Sequence, residues 1–266
     1  MKYSRIYGLI APEFGWVPAP SYILRRAAIL ELMQNFPPGK LLEIGFGSGA
    51  LLYDLALLGF YGIGIDFSEN ARNLASKLLA DISCFKIKSS LQDLFEKDFD
   101  YVMAFEVLEH IENDQETLIE WNHYLKKGGK ILISVPAHMK MWTKADEWAG
   151  HYRRYERDEI VSKIKLAGFE VKIIWSLGYP LSNIIMPIRS YIHGKALKKR
   201  KNLSKIERSH GSGIDRRWEV KFYKLYINFI GNFFFKLFIK LQSLFYNSEK
   251  GVGYLILAEK INNIIV

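Results

Sequence analysis

Residues Leu41–Ala50 read LLEIGFGSGA. An apolar run enters a glycine series, Glu43-x-Gly45-x-Gly47-x-Gly49, and an apolar helical pattern, Leu51–Leu58, follows it. Glycine is needed where backbone must turn tightly and approach a ligand closely. A strand before such a loop and a helix after it is the context in which the loop binds a nucleotide-like ligand. Asp66 closes the next apolar run, Tyr61–Asp66. A carboxylate there can accept both hydroxyls of an adenosine ribose, in charge-assisted hydrogen bonds worth about 1.5–3 kcal/mol each.

Two cofactor classes fit a strand–glycine–helix turn. The dinucleotide pattern G-x-G-x-x-G sets its third glycine three residues after the second. Here the spacing is G-x-G-x-G, and Glu43 stands two residues before the first glycine. A carboxylate repels a pyrophosphate and suits a cofactor that carries an amino group.

Outward from the loop, strand and helix signals alternate. Residues 21–35 have helical spacing, ended by Pro37-Pro38-Gly39. Asn70–Ala80 reads as a helix, Cys84–Lys88 as a weak strand, and Phe99–Phe105 as a buried strand followed by a helix through Tyr124. After Gly128-Gly129 come a strand at Lys130–Val135, a helix at Arg157–Ala167 and a strand at Glu170–Trp175. This rhythm predicts an α/β fold with a mostly parallel sheet and helices on both faces. Right-handed crossovers then bring the strand C-terminal ends to one edge, where ligands bind. Residues 179–250 break the rhythm, and Gly253–Lys260 returns to a strand. The predicted division is an N-terminal flap or helix at 1–38, a cofactor-binding core at 39–178, a helical basic and aromatic insertion at 179–250, and a final core strand at 251–266.

The chain resembles the class I S-adenosylmethionine-dependent methyltransferases. The resemblance rests on E-x-G-x-G-x-G, on Asp66, on Phe99-Asp100, on Glu106-Val-Leu-Glu109-His110 and on Leu125–Val135, LKKGGKILISV. It covers residues 21–175 and the last strand. It implies a Rossmann-like seven-stranded fold, S-adenosyl-L-methionine as cofactor and methyl transfer of the EC 2.1.1 type. Glu43, Gly45 and Gly47 would then line the methionine moiety, with Phe46, Gly49 and Phe105 nearby. Asp66 and Phe67 would hold the ribose and adenine. The family often has an aspartate for the adenine amino group after the third strand. This chain has Ser90 there, followed by Leu91, so adenine recognition would fall partly to backbone groups around Leu91. Arg25 or Arg26 could pair with the cofactor carboxylate.

Glu106, Glu109 and His110 are spaced to share one helix face. His151 follows in a polar stretch, Asp146–Arg157. Carboxylates with imidazoles can bind a divalent ion. The spacing is similar to that of the small-RNA 3′-end 2′-O-methyltransferases and of the ubiquinone-pathway O-methyltransferases. That resemblance implies a site of Glu106, Glu109, His110 and His151 for Mg, Mn or Zn. Without metal, His110 or His151 is the candidate general base, with Glu106 beside them, because imidazole titrates near neutrality. Arg153 and Arg154 could hold an anionic group of the substrate, or serve as surface ion pairs. Methyl transfer to oxygen of a small-molecule or lipid-linked acceptor is the expected reaction. RNA 2′-O-methylation and NAD-dependent oxidoreduction are the alternatives.

The chain has 266 residues, 49% of them hydrophobic, enough for a sizeable core. Its single cysteine, Cys84, excludes a disulfide framework and fits a reducing cytoplasm. The N-terminal residues show no basic segment followed by an apolar run and a cleavage site, so no signal peptide is expected. The net charge is +9, and Lys195, Lys198, Lys199, Arg200, Lys201, Lys205 and Arg208 crowd into one stretch. They could attract anionic lipid, a phosphorylated substrate or nucleic acid. These residues do not alternate with stacking aromatics, which argues against single-stranded nucleic acid. Across Trp218–Tyr246, Lys224, Asn228, Asn232, Lys236 and Lys240 recur every four residues, predicting one apolar helix with a narrow polar stripe. Its polar groups and the strand after it argue against a membrane span. Either it packs on the sheet or on a second copy in a homodimer, or residues 195–246 lie on a membrane surface.

Overall fold

The computed structural model describes residues 1–94, 97–197 and 203–261. Lys198, Lys199, Arg200 and Lys201 of the basic stretch lie outside the described residues. The chain opens with a two-stranded antiparallel hairpin, β1 (Lys2–Ser4) and β2 (Gly8–Ile10), and a short 3-10 turn, where sequence reading expected a flap or a short helix. Helix α1 (Pro20–Met33) begins on Pro20, whose fixed φ and missing N–H suit a first helical turn. The core then runs β3 (Lys40–Ile44), α2 (Ala50–Leu57), β4 (Tyr61–Ile65), α3 (Glu69–Leu78), β5 (Phe85–Lys88), β6 (Phe99–Phe105), α4 (Asp114–Tyr124) and β7 (Leu125–Pro136). After it come α5 (Lys144–Ala149), α6 (Arg157–Leu166) and β8 (Phe169–Leu177). The insertion supplies α7 (Leu181–Leu197), α8 (Lys205–Ser212), α9 (Arg217–Tyr226) and α10 (Phe229–Leu244) before β9 (Gly253–Lys260).

The strands form a seven-stranded sheet in the order β5-β4-β3-β6-β7-β9-β8. Strands β3 to β7 are parallel, and β9 runs antiparallel between β7 and β8. The expectation of a Rossmann-like, mostly parallel sheet therefore holds. Leu42, Ile44, Val102 and Ala104 face one apolar layer, while Leu41, Tyr101, Met103 and Leu132 face the other. Burial on both faces explains why these strands read as continuous apolar runs rather than alternating ones. Strand β7 starts five residues before the expected Lys130, because Leu125 pairs with Phe99 ahead of the Gly128-Gly129 turn.

The long helix expected over 218–246 is two helices. Asn228 takes extended backbone angles and its side chain accepts the Gly231 N–H at 2.8 Å, capping α10. The break removes Lys224 and Asn228 from the stripe. Helix α10 buries Gly231 against Tyr226 and Tyr7, packs Phe235 on Tyr7 and Ile23, and meets α1 again at Gln242. Gln242 donates to Leu24 O at 3.1 Å and accepts the Gly178 N–H at 2.7 Å. Among the described residues, no helix is long and apolar enough to cross a membrane.

Candidate active site

The C-terminal ends of β3, β4, β6 and β7 meet one cavity of about 460 Å³, roofed by residues of α1, α7 and the α8–α9 turn. Gly45, Gly47 and Gly49 all have left-handed φ, 72°, 59° and 76°. A Cβ on Gly45 would come within 2.5 Å of Val107 Cγ2, so both its angles and its surroundings demand glycine. The turn lifts the Gly47 N–H toward Asp66, whose Oδ2 accepts it at 2.8 Å, while Oδ1 accepts the Ser68 N–H at 2.9 Å. A carboxylate oxygen can accept more than one hydrogen bond, so a ligand hydroxyl can share these oxygens.

Glu43 lies at the cavity floor, 3% exposed, and its Oε2 has no hydrogen-bond partner among the described residues. Burial, and then repulsion from Asp66, push its carboxyl up to about 8. A buried acceptor left unsatisfied beside a cavity invites a cationic donor, which the amino group of an amino-acid tail provides. Phe46, Phe67 and Phe105 also line the cavity. Gly49 and Leu91 do not: Gly49 caps α2 against Ala75 and Leu79, and Leu91 packs on the apolar core. Ser90 spends its hydroxyl on the Gln92 N–H.

Of the two arginines considered for the cofactor carboxylate, Arg26 is committed elsewhere. It makes a bidentate pair with Asp54, both distances 2.6 Å, and donates to Arg5 O and Ile6 O. Both partners are buried, and they tie α1 to α2. Arg25, one residue earlier, faces the cavity and approaches Glu106 at 3.5 Å.

The Glu106, Glu109 and His110 group is not one helix face. Glu106 has a left-handed φ of 57°, and a 3-10 turn holds Leu108–His110. Backbone strain of about 1–3 kcal/mol at a non-glycine residue is characteristic of functional turns. Glu106 accepts from Ser134 Oγ at 2.9 Å and is not part of the cluster whose ligand atoms converge, so the expected four-ligand set reduces to three. Glu109, His110 and His151 offer ligand atoms within 4.8 Å of one another. Glu109 is fully buried with neither oxygen hydrogen-bonded, and His110 Nδ1 is likewise unpartnered among the described residues. Burial, then repulsion from Glu106, raise the Glu109 carboxyl well above the usual carboxylate range. Burial and then the neighbouring His151 bring the His110 imidazole down to about 3, so it is neutral at physiological pH.

His151 Nδ1 lies 3.0 Å from Asp146 Oδ1, and its ring sits edge-on to His110 at 4.7 Å. Asp146 is itself fixed by Arg154, at 2.9 and 3.0 Å, and by the Thr143 N–H at 2.7 Å. Although burial opposes ionisation, the His151 hydrogen bond and the Arg154 charge win, and the Asp146 carboxyl is held well below the usual range. Arg153 pairs with Asp114 at 2.8 Å. Neither Arg153 nor Arg154 is thus left to hold a substrate anion. Sequence reading passed over Asp146, Trp16, Tyr22, Arg189 and Arg216, all of which line the cavity. Only Asp146 carried a signal, as part of the quoted polar stretch.

A family model described as "Methyltransferase domain" matches residues 21–172. An uncharacterised protein of Methanocaldococcus jannaschii is 26% identical over 155 residues, 56% of this chain and 73% of its own length. The ubiquinone biosynthesis O-methyltransferase of Rickettsia bellii is 30% identical over 98 residues, 36% of this chain and 41% of that enzyme. Phosphoethanolamine N-methyltransferase 2 of Caenorhabditis elegans is 30% identical over 114 residues, only 26% of its length. The chain thus matches less than half of each of these two named enzymes. Among solved structures, Haemonchus contortus phosphoethanolamine N-methyltransferase 2 in complex with S-adenosyl-L-methionine has a TM-score of 0.56 at 17% identity, covering 90% of this chain and 52% of that one. An S-adenosylmethionine-dependent methyltransferase of Mesorhizobium loti has a TM-score of 0.55 at 12% identity, covering 91% and 98%. The family match spans more than half of the chain and decides between the two cofactor classes against the dinucleotide: the chain belongs to the class I S-adenosylmethionine-dependent methyltransferases.

Proposed function

We propose that this methyltransferase acts on a hydroxyl oxygen of an amphiphilic, lipid-linked or small-molecule acceptor, with His151 as general base. The observation that carries this reading is the continuity of the cavity from Glu43 and Asp66 to His110 and His151. Glu43 offers an acceptor for the cofactor's ammonium, Asp66 for its ribose hydroxyls, and Arg25 a donor for its carboxylate. The bound cofactor supplies a methyl group already activated on a sulfonium. The protein's remaining tasks are to align the acceptor oxygen and to take its proton. Asp146 accepts the His151 Nδ1–H, which leaves Nε2, 3.8 Å from Glu109 Oε1, as the nitrogen that can take the proton.

The apolar outer faces of the insertion support an amphiphilic acceptor at a membrane surface. Phe229, Ile230, Phe233 and Leu237 of α10, with Trp218 and Leu225 of α9, are all exposed. Lys221, Lys224, Lys236 and Lys240 stand among them. Exposed aromatics flanked by lysines match an interfacial helix beside anionic lipid. The test is methylation of matched hydroxyl and amine acceptors, each soluble and acylated, with mass spectrometry locating the methyl group. O-methyl products, best on acylated acceptors, are expected; exclusive N-methylation would overturn the reading.

A second reading concerns Glu109, His110 and His151. Two orphaned buried groups and a nearby imidazole make a donor set that suits a borderline divalent ion. Such an ion would orient the acceptor oxygen and lower its pKa. Elemental analysis of purified protein, with His110→Ala as control, tests it. Equal metal content in both proteins, or none in either, would remove it.

A further inference from the structure

Two arginines of the insertion point to the kind of acceptor the cavity takes. Arg189 comes from α7 and Arg216 caps α9, and both line the cavity. Arg189 is exposed and Arg216 half-buried at the cavity wall. No carboxylate among the described residues lies within ion-pair distance of either. Asp215, the nearest in sequence, is engaged with Arg217 at 2.8 Å. Among the described residues Arg216 donates only to the Asp215 carbonyl, at 3.2 Å, and its Nε is buried without a hydrogen-bond partner. Burial pushes both guanidinium pKa values down; Glu219 opposes this from a distance. Arg216 lies over the Trp16 ring, 4.9 Å from its centre. Trp16 Nε1 and Tyr22 Oη are also buried with no hydrogen-bond partner among the described residues.

A guanidinium with a buried nitrogen and no counter-ion, as at Arg216, is costly to keep. Two guanidinium groups beside two unused neutral donors make a donor-rich wall, whose one strongly felt carboxylate, Glu219, also lines the cavity but lies beyond ion-pair distance of both. Glu43 stands ready for the cofactor's ammonium, and Arg25 already has Glu106 nearby. Arg189 feels the charges of Glu106 and of Asp146, beside His151, and Arg216 feels those of Arg189 and Arg25. We propose that Arg189 and Arg216, with Trp16 and Tyr22, form an anion site that binds a phosphate ester carried by the methyl acceptor. Two guanidinium charges and their forked donors suit a phosphate, which offers three oxygens and up to two charges, better than a carboxylate. This deepens the proposed function and rests on it for the acceptor's place in the cavity.

The experiment is calorimetry on the full chain loaded with S-adenosylhomocysteine, titrated with phenyl phosphate, dodecyl phosphate and benzoate. The two phosphates distinguish a soluble ester from a lipid headgroup. Both are expected to bind, benzoate more weakly. Arg189→Gln and Arg216→Gln should each weaken phosphate binding by about tenfold or more, the loss of a charge-assisted contact. Arg189→Lys should recover part of it. Affinity for S-adenosylhomocysteine should stay within about twofold, which also shows that the variants fold. No phosphate binding by the loaded wild type would overturn the proposal. So would equal phosphate binding by wild type and variants, including tail-driven binding of dodecyl phosphate alone. Loss of S-adenosylhomocysteine affinity in Arg216→Gln without loss of phosphate would place Arg216 on the cofactor and also overturn it. The oxygen chemistry is judged separately, by the atom methylated, so either idea can fail without the other.

Discussion

His151 Nδ1 stands 3.0 Å from the Asp146 oxygen that Arg154 also holds at 2.9 Å. An ionised, doubly anchored carboxylate fixes the imidazole tautomer and stabilises the imidazolium formed when a proton arrives. His151→Ala should lower kcat by about 10²–10⁴-fold, the usual weight of a positioned base, with little change in S-adenosylhomocysteine affinity. Asp146→Asn should also lower kcat and shift the acidic limb of its pH profile, where the base is lost to protonation. Steady-state kinetics across pH checks both; unchanged turnover in His151→Ala would remove the base.

Glu43 gives a pH dependence of stability with a definite sign. Its carboxyl sits at about 8 in the folded chain against an ordinary 4.5. Between those values the folded state holds a proton that the unfolded state has released, so this group's contribution falls as pH rises from 4.5 to 8. Above that range the penalty is constant. Glu43→Gln should therefore lose less Tm than wild type between the two ends of the range, read by thermal scans without cofactor. An equal loss in both would show that Glu43 ionises freely.

Arg26 and Asp54 form a buried pair between two helices at the cavity wall, and the pair occupies the guanidinium. Arg26→Ala should destabilise by about 3–5 kcal/mol, because Asp54 is left charged and unpaired. Chemical denaturation measures this. S-adenosylhomocysteine affinity under native conditions should be nearly unchanged; a large selective loss would restore Arg26 to the cofactor.

The exposed aromatics of α10 should drive attachment to anionic vesicles. Wild type is expected to float with phosphatidylglycerol-containing liposomes and to stay down with pure phosphatidylcholine. Phe229→Asp with Phe233→Asp should abolish flotation. If wild type stays down with both, the surface faces another protein or a second copy instead.

Much of the core was legible because its parallel strands are apolar on both faces and its loop needs glycine, both of which leave strong local signals. Leu41–Ala50 and Tyr61–Asp66 show this directly. Local spacing misled at Glu106, where a left-handed residue turns the chain out of the helix expected from E-x-x-E-H. It misled again at Asn228, whose amide side chain caps a helix instead of extending a stripe. Arg26 and Arg25 are adjacent in sequence and equal in chemistry; only the buried Asp54 from another helix separates their roles. Arg189 and Arg216 left no motif, because the folding of α7 and α9 over the sheet edge is what brings them together.

The central claim is that the edge bearing Glu43 and Asp66 receives the cofactor while His151 serves only the acceptor. Calorimetry of S-adenosylhomocysteine against wild type, Asp66→Ala and His151→Ala tests this most directly. The account predicts wild-type affinity in His151→Ala and a loss of about tenfold or more in Asp66→Ala, the cost of both ribose contacts. Equal affinity in all three proteins, or a loss confined to His151→Ala, would contradict it.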